Sequence, residues 1–358
     1  MWRQTVLTER LDLSVPIIQG PFGGGLSSVE LAGLVSEAGG LGSFGAHHLP
    51  PEQIRAVARA IRERTGRPFA LNIWIPLSDR EPRVSNDDPF RRNVDRLKPY
   101  YDELGLPPPE RPDQFWPRYE EQIEAILEVR PPVFSFVYGV PATEVLDRCR
   151  KTGIRTIGTA TTVEEARQLD RAGVDAVVAT GFEAGGHRVS FLRPPEQCLT
   201  GTLALVPQVV DAVRCPVIAA GGIADGRGIA AAISLGAAGV QIGTAFLACR
   251  ESAASATHRE ALFGPNAGET ALTRAFTGRL ARGIRNRFME EMTRWEDDLP
   301  PYPIQNWFTA PIKAAAVKQG RPELMSLWAG QSAPLLSHRD ARSLIESLTE
   351  QTDRILTR

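Results

Sequence analysis

Cysteine is scarce in this sequence: its four cysteines, Cys149, Cys198, Cys215 and Cys249, are scattered along the chain. They form no C-x-x-C pair and no Cys/His spacing typical of a zinc site. The pattern predicts reduced, mostly buried thiols in a cytoplasmic protein, with no metal bound.

Net charge and long apolar runs are also missing. The 41 Lys and Arg residues nearly balance the 42 Asp and Glu residues, so the chain has no basic excess with which to bind nucleic acid. The first ten residues lack the apolar core of a signal peptide. No apolar run approaches the roughly 20 residues that would span a bilayer. We therefore expect a small-molecule ligand, and neither a nucleic-acid nor a membrane partner.

What the chain does contain is a repeated alternation of short apolar runs and helical patterns. Glycines at the ends of the helices, as in Lys151-Thr152-Gly153, mark the turns into the next strand. The predicted strands are 16–19, 39–45, 69–74, 133–137, 155–159, 176–179, 216–220 and 239–243. Eight such units predict an α/β fold, the (β/α)₈ TIM barrel.

Two regions depart from this alternation. Residues 76–117 are rich in charge and proline and are too long for an ordinary loop after strand three, so we interpret them as an insertion over the ligand end of a barrel that spans residues 1–250. Residues 251–358 are predicted to be a helical C-terminal extension without strands, including helices at 281–296 and 339–356. This segment is expected to cap the barrel mouth or to form the interface of a homodimer.

The sixth predicted strand runs directly into a glycine-rich stretch, Thr180-Gly181-Phe182-Glu183-Ala184-Gly185-Gly186-His187-Arg188. Barrels and open α/β sheets place their ligands at the carboxyl ends of the strands. His187 there is either a structural hydrogen-bonding residue or a general base, and its position favours the base. His47 and His48 also follow a strand, but we interpret them as plain loop residues.

Glycines also end the last two predicted strands, at Gly221-Gly222 and at Gly243-Thr244. They are either tight turns or a phosphate site of the kind that barrels build from the loops after strands seven and eight. Their occurrence at two adjacent strand ends favours phosphate. A dinucleotide fingerprint is disfavoured because Gln241 stands where it needs an acidic residue. A single phosphate, as on FMN, suits the spacing better.

Four arginines lie close together, at Arg279, Arg282, Arg285 and Arg287. They are either a solvated or salt-bridged helical face, which we favour, or a rim that recognises an anionic substrate.

In the order of its motifs the chain resembles the nitronate monooxygenases, once called 2-nitropropane dioxygenases, which are FMN-dependent (β/α)₈ enzymes. The similar stretches are 16–20, 38–42, Asn72, 181–188, Gly221-Gly222, 241–244, 279–282 and 327–331. The resemblance implies that His187 is the catalytic base. It implies that FMN is held by Gln19, Gly20, Asn72, Thr180, Gly185, Gly186, Gly221, Gly222, Gln241, Ile242, Gly243 and Thr244. Threonine at position 180 departs from the family, whose members usually have glutamine there.

The expected reaction is FMN-dependent oxidation of an alkyl nitronate or nitroalkane by dioxygen to a carbonyl compound and nitrite. One alternative keeps the barrel and flavin but takes electrons from NAD(P)H to reduce a quinone or an enoyl thioester. Another is a non-catalytic flavin-binding protein.

Overall fold

Eight parallel strands form the barrel in the computed structural model, which describes residues 2–77, 87–112 and 115–357. The described residues form eleven strands in all, of which β7, β10 and β11 lie outside the barrel: β1 (Ile17–Gln19), β2 (Gly42–Gly45), β3 (Phe69–Trp74), β4 (Val133–Val137), β5 (Arg155–Ala160), β6 (Ala176–Thr180), β7 (Gly186–His187), β8 (Val217–Ala220), β9 (Gly239–Ile242), β10 (Thr270–Thr273) and β11 (Ala281–Ile284). Their order in the barrel sheet is β1-β9-β8-β6-β5-β4-β3-β2. A parallel bridge from Ile18 to Leu41 joins its two edge strands. The predicted (β/α)₈ barrel is confirmed.

The described residues also form fourteen α-helices, and local signals set the ends of several of them. They are α1 (Val6–Leu11), α2 (Val29–Glu37), α3 (Pro51–Arg64), α4 (Asp87–Glu103), α5 (Tyr119–Val129), α6 (Thr143–Thr152), α7 (Val163–Ala172), α8 (Thr202–Ala212), α9 (Gly226–Ser234), α10 (Thr244–Leu247), α11 (Ala256–Leu262), α12 (Arg287–Met292), α13 (Ile304–Gln319) and α14 (Ala341–Leu356). Ser28, Thr162 and Asp225 accept hydrogen bonds from the first turns of α2, α7 and α9. Gly173 ends α7 with a φ of 80°, a conformation that favours glycine.

Side chains alternate between the inside and the outside of the barrel. On β6, Ala176 and Val178 belong to the interior cluster, whereas Val177 and Ala179 face the surrounding helices. Leu7 of α1 belongs to the interior cluster and is fully buried. Burying a side chain such as that of Val178 or Leu7 contributes about 1.5–3 kcal/mol, so the barrel interior and the helix-facing layer both stabilise the fold.

The insertion contains a helix rather than only loop. Helix α4 packs against α13 in the C-terminal segment, where the Tyr101 hydroxyl donates to the Phe308 carbonyl at 2.6 Å and the Asn93 amide donates to Gln305 at 3.0 Å. Residues 78–86 and 113–114 of the predicted insertion lie outside the described residues. The described part of the insertion shares a hydrophobic cluster with residues after 250.

The C-terminal segment contains strands that the sequence analysis did not predict. β10 pairs with β11, and β11 pairs with β7, in a three-stranded antiparallel sheet. The predicted helix over 281–296 is therefore wrong at its start, because 281–284 is β11 and the helix α12 begins only at Arg287. Further on, α14 returns to the barrel wall beside α9, where the Gly226 amide donates to Gln351 at 3.1 Å. Within the described ranges, no helix has the length and apolar character needed to cross a membrane.

Candidate active site

A layer of polar side chains lies above the apolar interior, at the carboxyl ends of the barrel strands. A small cavity is lined by Ser43, Asn72, Ser135, Thr159 and Gln241. Most of these polar residues lie two positions after an apolar residue of the barrel interior. The Asn72 amide donates to the Ser135 hydroxyl at 3.0 Å. Period-two alternation brings these polar groups from separate strands to one level, so they form a hydrogen-bonding surface at the barrel mouth.

The two glycine pairs meet beside this layer because their strands are neighbours. Ala220 pairs with Gln241, so the loops that follow β8 and β9 lie next to each other. Gly221 and Gly222 have φ values of 98° and 72°, which side chains rarely adopt. At Gly243, by contrast, an added Cβ would meet no atom within 4 Å. The space above Gly243 is open, which leaves room for a phosphate of the kind that backbone N–H groups bind.

The loop between β6 and β7 is fixed against the β8 loop by Glu183. Its carboxylate accepts hydrogen bonds from the Thr202 backbone N–H and hydroxyl, each at 2.9 Å. The same hydroxyl contacts the Gly221 carbonyl at 2.9 Å. Gly185 allows a close backbone approach, because a Cβ there would come within 2.5 Å of the Gly330 nitrogen.

Two buried arginines hold this loop from below. Arg188 donates to the Gly181 carbonyl at 2.7 Å and to the Cys198 carbonyl at 3.2 Å, and burial, with nearby Arg282, lowers its pKa to about 10. Arg282 donates to the Phe182 carbonyl at 3.2 Å and is only 2% exposed. The solvated-face interpretation is therefore wrong for Arg282, which lies on a buried strand.

His187 lies on β7 opposite Ala281 of β11. Its Nε2 atom is hydrogen-bonded to the Thr277 hydroxyl at 2.9 Å. Desolvation by the surrounding protein, then the positive charges of Arg279 and Lys313, lower its pKa to about 3. The imidazole is therefore neutral at physiological pH and has a lone pair with which to accept a proton.

Arg279 lies in a cage of aromatic rings next to His187. Its guanidinium carbon is 4.1 Å from the ring centre of Tyr138, 4.3 Å from that of Tyr302 and 5.7 Å from that of Trp74. Such contacts stabilise a desolvated cation. The Tyr302 hydroxyl is buried with no hydrogen-bond partner in the described part of the chain.

Lys313 of α13 is the second cation of the site. Its ammonium donates to the Asn306 side chain at 2.8 Å, and burial lowers its pKa to about 8. Among residues 2–77, 87–112 and 115–357, no carboxylate forms an ion pair with Arg279 or Lys313. The mouth thus holds two cations that protein anions leave unneutralised.

Arg285 and Arg287 match the favoured interpretation of these arginines as solvated or salt-bridged residues. Arg285 is exposed, and Arg287 forms a salt bridge with Glu103 at 2.7 Å.

His47 is a loop residue, as expected, in the turn after β2, but it is buried and in contact with the site. The ring is 2% exposed and lies parallel to that of Trp74, with 3.7 Å between the ring centres. Trp74 in turn contacts His187, with 5.0 Å between those ring centres. The sequence offered only a weak signal for these contacts, namely that His47 and Trp74 each follow or end a barrel strand.

The remaining predicted positions all lie at strand ends, with different orientations. Gln19 bridges the seam of the barrel, where its side-chain oxygen accepts the Ser43 N–H at 2.9 Å. Alternation on β6 points Thr180 inward with Val178. Ile242 faces outward into the helix-facing core, and its carbonyl accepts the Gly20 N–H at 2.9 Å. Ile242 can therefore contribute only backbone to a ligand site.

Comparisons with known proteins point to one family. A sequence model of the family described as nitronate monooxygenase matches residues 4–351. A protein of Staphylococcus aureus (strain Newman) named "Probable nitronate monooxygenase" is 41% identical over 359 residues, covering 99% of both chains. A solved structure titled as nitroalkane oxidase from Streptomyces ansochromogenes is 37% identical with a TM-score of 0.90, covering 99% of both chains. The structure of FabK from Thermotoga maritima is 30% identical with a TM-score of 0.77, covering 99% of this chain and 97% of that one.

Proposed function

The chain belongs to the nitronate monooxygenase family, and from this premise we propose that it oxidises alkyl nitronates, or the nitroalkanes from which they form, to carbonyl compounds and nitrite. FMN is the proposed cofactor and dioxygen the proposed electron acceptor. The observation that carries the proposal is a neutral histidine flanked by two unneutralised cations in an aromatic pocket at the barrel mouth.

The glycine loops fit the phosphate of FMN. Gly243 leaves open space where a side chain would stand, and the paired positive φ values of Gly221 and Gly222 turn the backbone of the neighbouring loop. The polar layer that includes Asn72 and Gln241 offers hydrogen bonds to a flat polar ring system. When bound, FMN would supply the redox chemistry between the nitronate and dioxygen.

Arg279 and Lys313 bind the nitronate in this proposal. A nitronate carries a full negative charge on its two oxygens, and a desolvated cation attracts it more strongly than a solvated one does. The rings around Arg279 exclude water on several sides. A neutral nitroalkane gains less from these cations, so its binding depends more on the aromatic walls.

His187 acts on the neutral substrate as the base that removes the α-proton. Its Nε2 is hydrogen-bonded to Thr277, whereas its Nδ1 has no hydrogen bond to the part of the chain that the structure describes. We assign the proton transfer to Nδ1. An anion bound beside the ring offsets the field of Arg279 and Lys313, which raises the pKa of His187 from its low value and makes proton transfer more favourable.

The deciding experiment mixes FMN-loaded protein anaerobically with propyl-1-nitronate, 1-nitropropane or NADH and follows the flavin absorbance. We expect bleaching by the nitronate and nitrite formation once air is admitted. Bleaching by NADH alone would instead support the reductase alternative, and a flavoprotein that responds to none of the three would support the non-catalytic one.

His187→Ala tests the role of the base. The variant should keep its FMN, lose about 10²–10⁴-fold in kcat/KM with 1-nitropropane and lose far less with the nitronate, which is already ionised. His338→Ala, at a histidine outside the site, is the matched control. Equal losses with both substrates would remove His187 from proton transfer.

A further inference from the structure

Trp74 is the common contact of the groups around the site. Its ring centre lies 5.0 Å from that of His187, 5.2 Å from that of Tyr138 and 5.3 Å from that of Tyr302. The guanidinium of Arg279 is 5.7 Å from the same ring. Trp74 stands at the end of β3 and is only partly buried, so part of the residue stays accessible beside these groups.

The ring is held in place from behind by a stack. His47 lies parallel to Trp74 with an angle of 1° between the planes, and Trp116 stacks on His47 with 5.6 Å between centres and an angle of 20°. A Cβ at Gly23 would come within 2.7 Å of the His47 ring and 3.3 Å of Trp74, so glycine at position 23 leaves room for the stack. The tryptophan cannot retreat from the pocket without displacing these groups.

The backbone of His47 is anchored as firmly as its ring. Its carbonyl accepts hydrogen bonds from the Trp116 indole at 2.9 Å and from the Gln122 amide at 2.8 Å. The Nδ1 atom of the ring is buried without a hydrogen-bond partner in the described ranges. Leaving a buried nitrogen unpaired carries a free-energy cost, so hydrogen bonding of the ring does not explain why His47 is buried here. The face-to-face contact with Trp74 explains it.

We propose that Trp74 is the specificity-determining residue that limits the length of the alkyl chain brought to His187, and that His47 is the positioning residue that holds it. This inference rests on the proposed function, because the substrate is taken to be an alkyl nitronate. A wall made of a stacked indole is rigid, and a rigid pocket discriminates between substrates that differ by one methylene by about 10-fold or more. The site should therefore prefer short nitronates.

The test measures kcat/KM for linear 1-alkyl nitronates from ethyl to hexyl. We expect the wild type to lose at least 10-fold between the propyl and hexyl compounds. Trp74→Leu, and Trp74→Phe in case the leucine variant folds poorly, should flatten this dependence, mainly through a lower KM for the longer chains. His47→Ala should shift the profile in the same direction. Trp295→Leu is the matched control, because that tryptophan contacts Arg96 and Arg294 away from the pocket.

An unchanged length profile in both Trp74 variants would overturn the inference. If the wild type oxidises no nitronate, the proposed function fails, and chain-length selection is then judged by binding alone. Straight-chain carboxylates from propionate to heptanoate serve as unreactive anions, and their Kd is read from the perturbed flavin spectrum. A length dependence of Kd that Trp74→Leu flattens supports the inference. The same length dependence in the variant and the wild type refutes it.

Discussion

Replacing Lys313 by methionine should make the protein more stable and less active at the same time. Burial lowers the pKa of Lys313 from 10.5 to about 8, so the folded protein disfavours the charged form. Each pKa unit corresponds to about 1.4 kcal/mol, which puts the penalty near 3 kcal/mol. We halve it to about 1.5 kcal/mol because Lys313 is not fully buried and solvent screens part of the cost.

The sign of the pH dependence follows from the direction of the shift. A lysine with a depressed pKa destabilises the fold fully below pH 8, and the penalty disappears as the pH rises from about 8 to 10.5. Methionine keeps most of the apolar stem of the lysine. Loss of the hydrogen bond to Asn306 reduces the gain in stability by about 0.5 kcal/mol. We expect a net gain of about 1 kcal/mol at pH 7, measured by chemical denaturation of the flavin-free protein, and no gain near pH 10.5.

The loss of activity should appear in KM. Two unit charges about 4 Å apart attract each other by about 4 kcal/mol at an effective dielectric constant of 20. Desolvation of the nitronate offsets part of this attraction, so we expect KM to rise by about 10–100-fold with kcat changing less. In the wild type, KM should also rise above pH 8 as Lys313 loses its charge, and in Lys313→Met this limb should be absent.

The assay is steady-state oxidation of propyl-1-nitronate from pH 6 to 10. Lys318→Met, an exposed lysine on the same helix, is the matched control and should change neither stability nor KM appreciably. A Lys313→Met protein that is less stable than the wild type and binds nitronate equally well would refute both the burial argument and the assignment of Lys313 to the substrate.

Two further predictions concern the glycine loops proposed to hold FMN and the stability of the barrel. Gly243→Ala should fold like the wild type but raise the Kd for FMN by about 10-fold, because the added methyl group would enter the space proposed for the phosphate. Gly66→Ala, at a glycine that is also open around its Cβ, is the control and should leave FMN binding unchanged. Equal Kd values for the Gly243→Ala variant and the wild type would contradict the phosphate assignment. Glu165→Ala should lower the free energy of unfolding by about 3 kcal/mol, because this buried carboxylate accepts hydrogen bonds from the backbone of Thr161, Phe191 and Leu192. Denaturation of exposed Glu164→Ala is its control, and a loss below about 1 kcal/mol would contradict the prediction.

The barrel was predictable because its signals are local. Each strand is a short apolar run bounded by glycine or proline, and the boundaries of β3, β4 and β6 agree with the predicted strands within one residue. The order of parallel strands in such a barrel follows from chain order and right-handed crossovers. The glycine pairs after β8 and β9 were therefore brought together by topology alone.

The antiparallel sheet beside the mouth was not predictable in the same way. β10 and β11 are four residues each, and Ala281–Ile284 contains an arginine and a glycine, which are typical of neither a buried strand nor a core helix. Arginine is usually a surface residue. Arg282 is nevertheless buried, because its guanidinium donates hydrogen bonds to a carbonyl and a hydroxyl from other segments of the chain. Its environment exists only once β7 and β11 have paired.

The two cations proposed to bind the substrate come from outside the barrel, and this decides what the fold can imply about function. The glycine loops proposed to hold FMN follow barrel strands, whereas Arg279, Tyr302 and Lys313 lie after residue 250 and come near His187 through the β7–β11 pairing and α13. A shared barrel with similar glycine loops is therefore compatible with more than one flavin reaction. The charge and the aromatic walls of this pocket, which favour a small anion over a long neutral substrate, carry the assignment to nitronates.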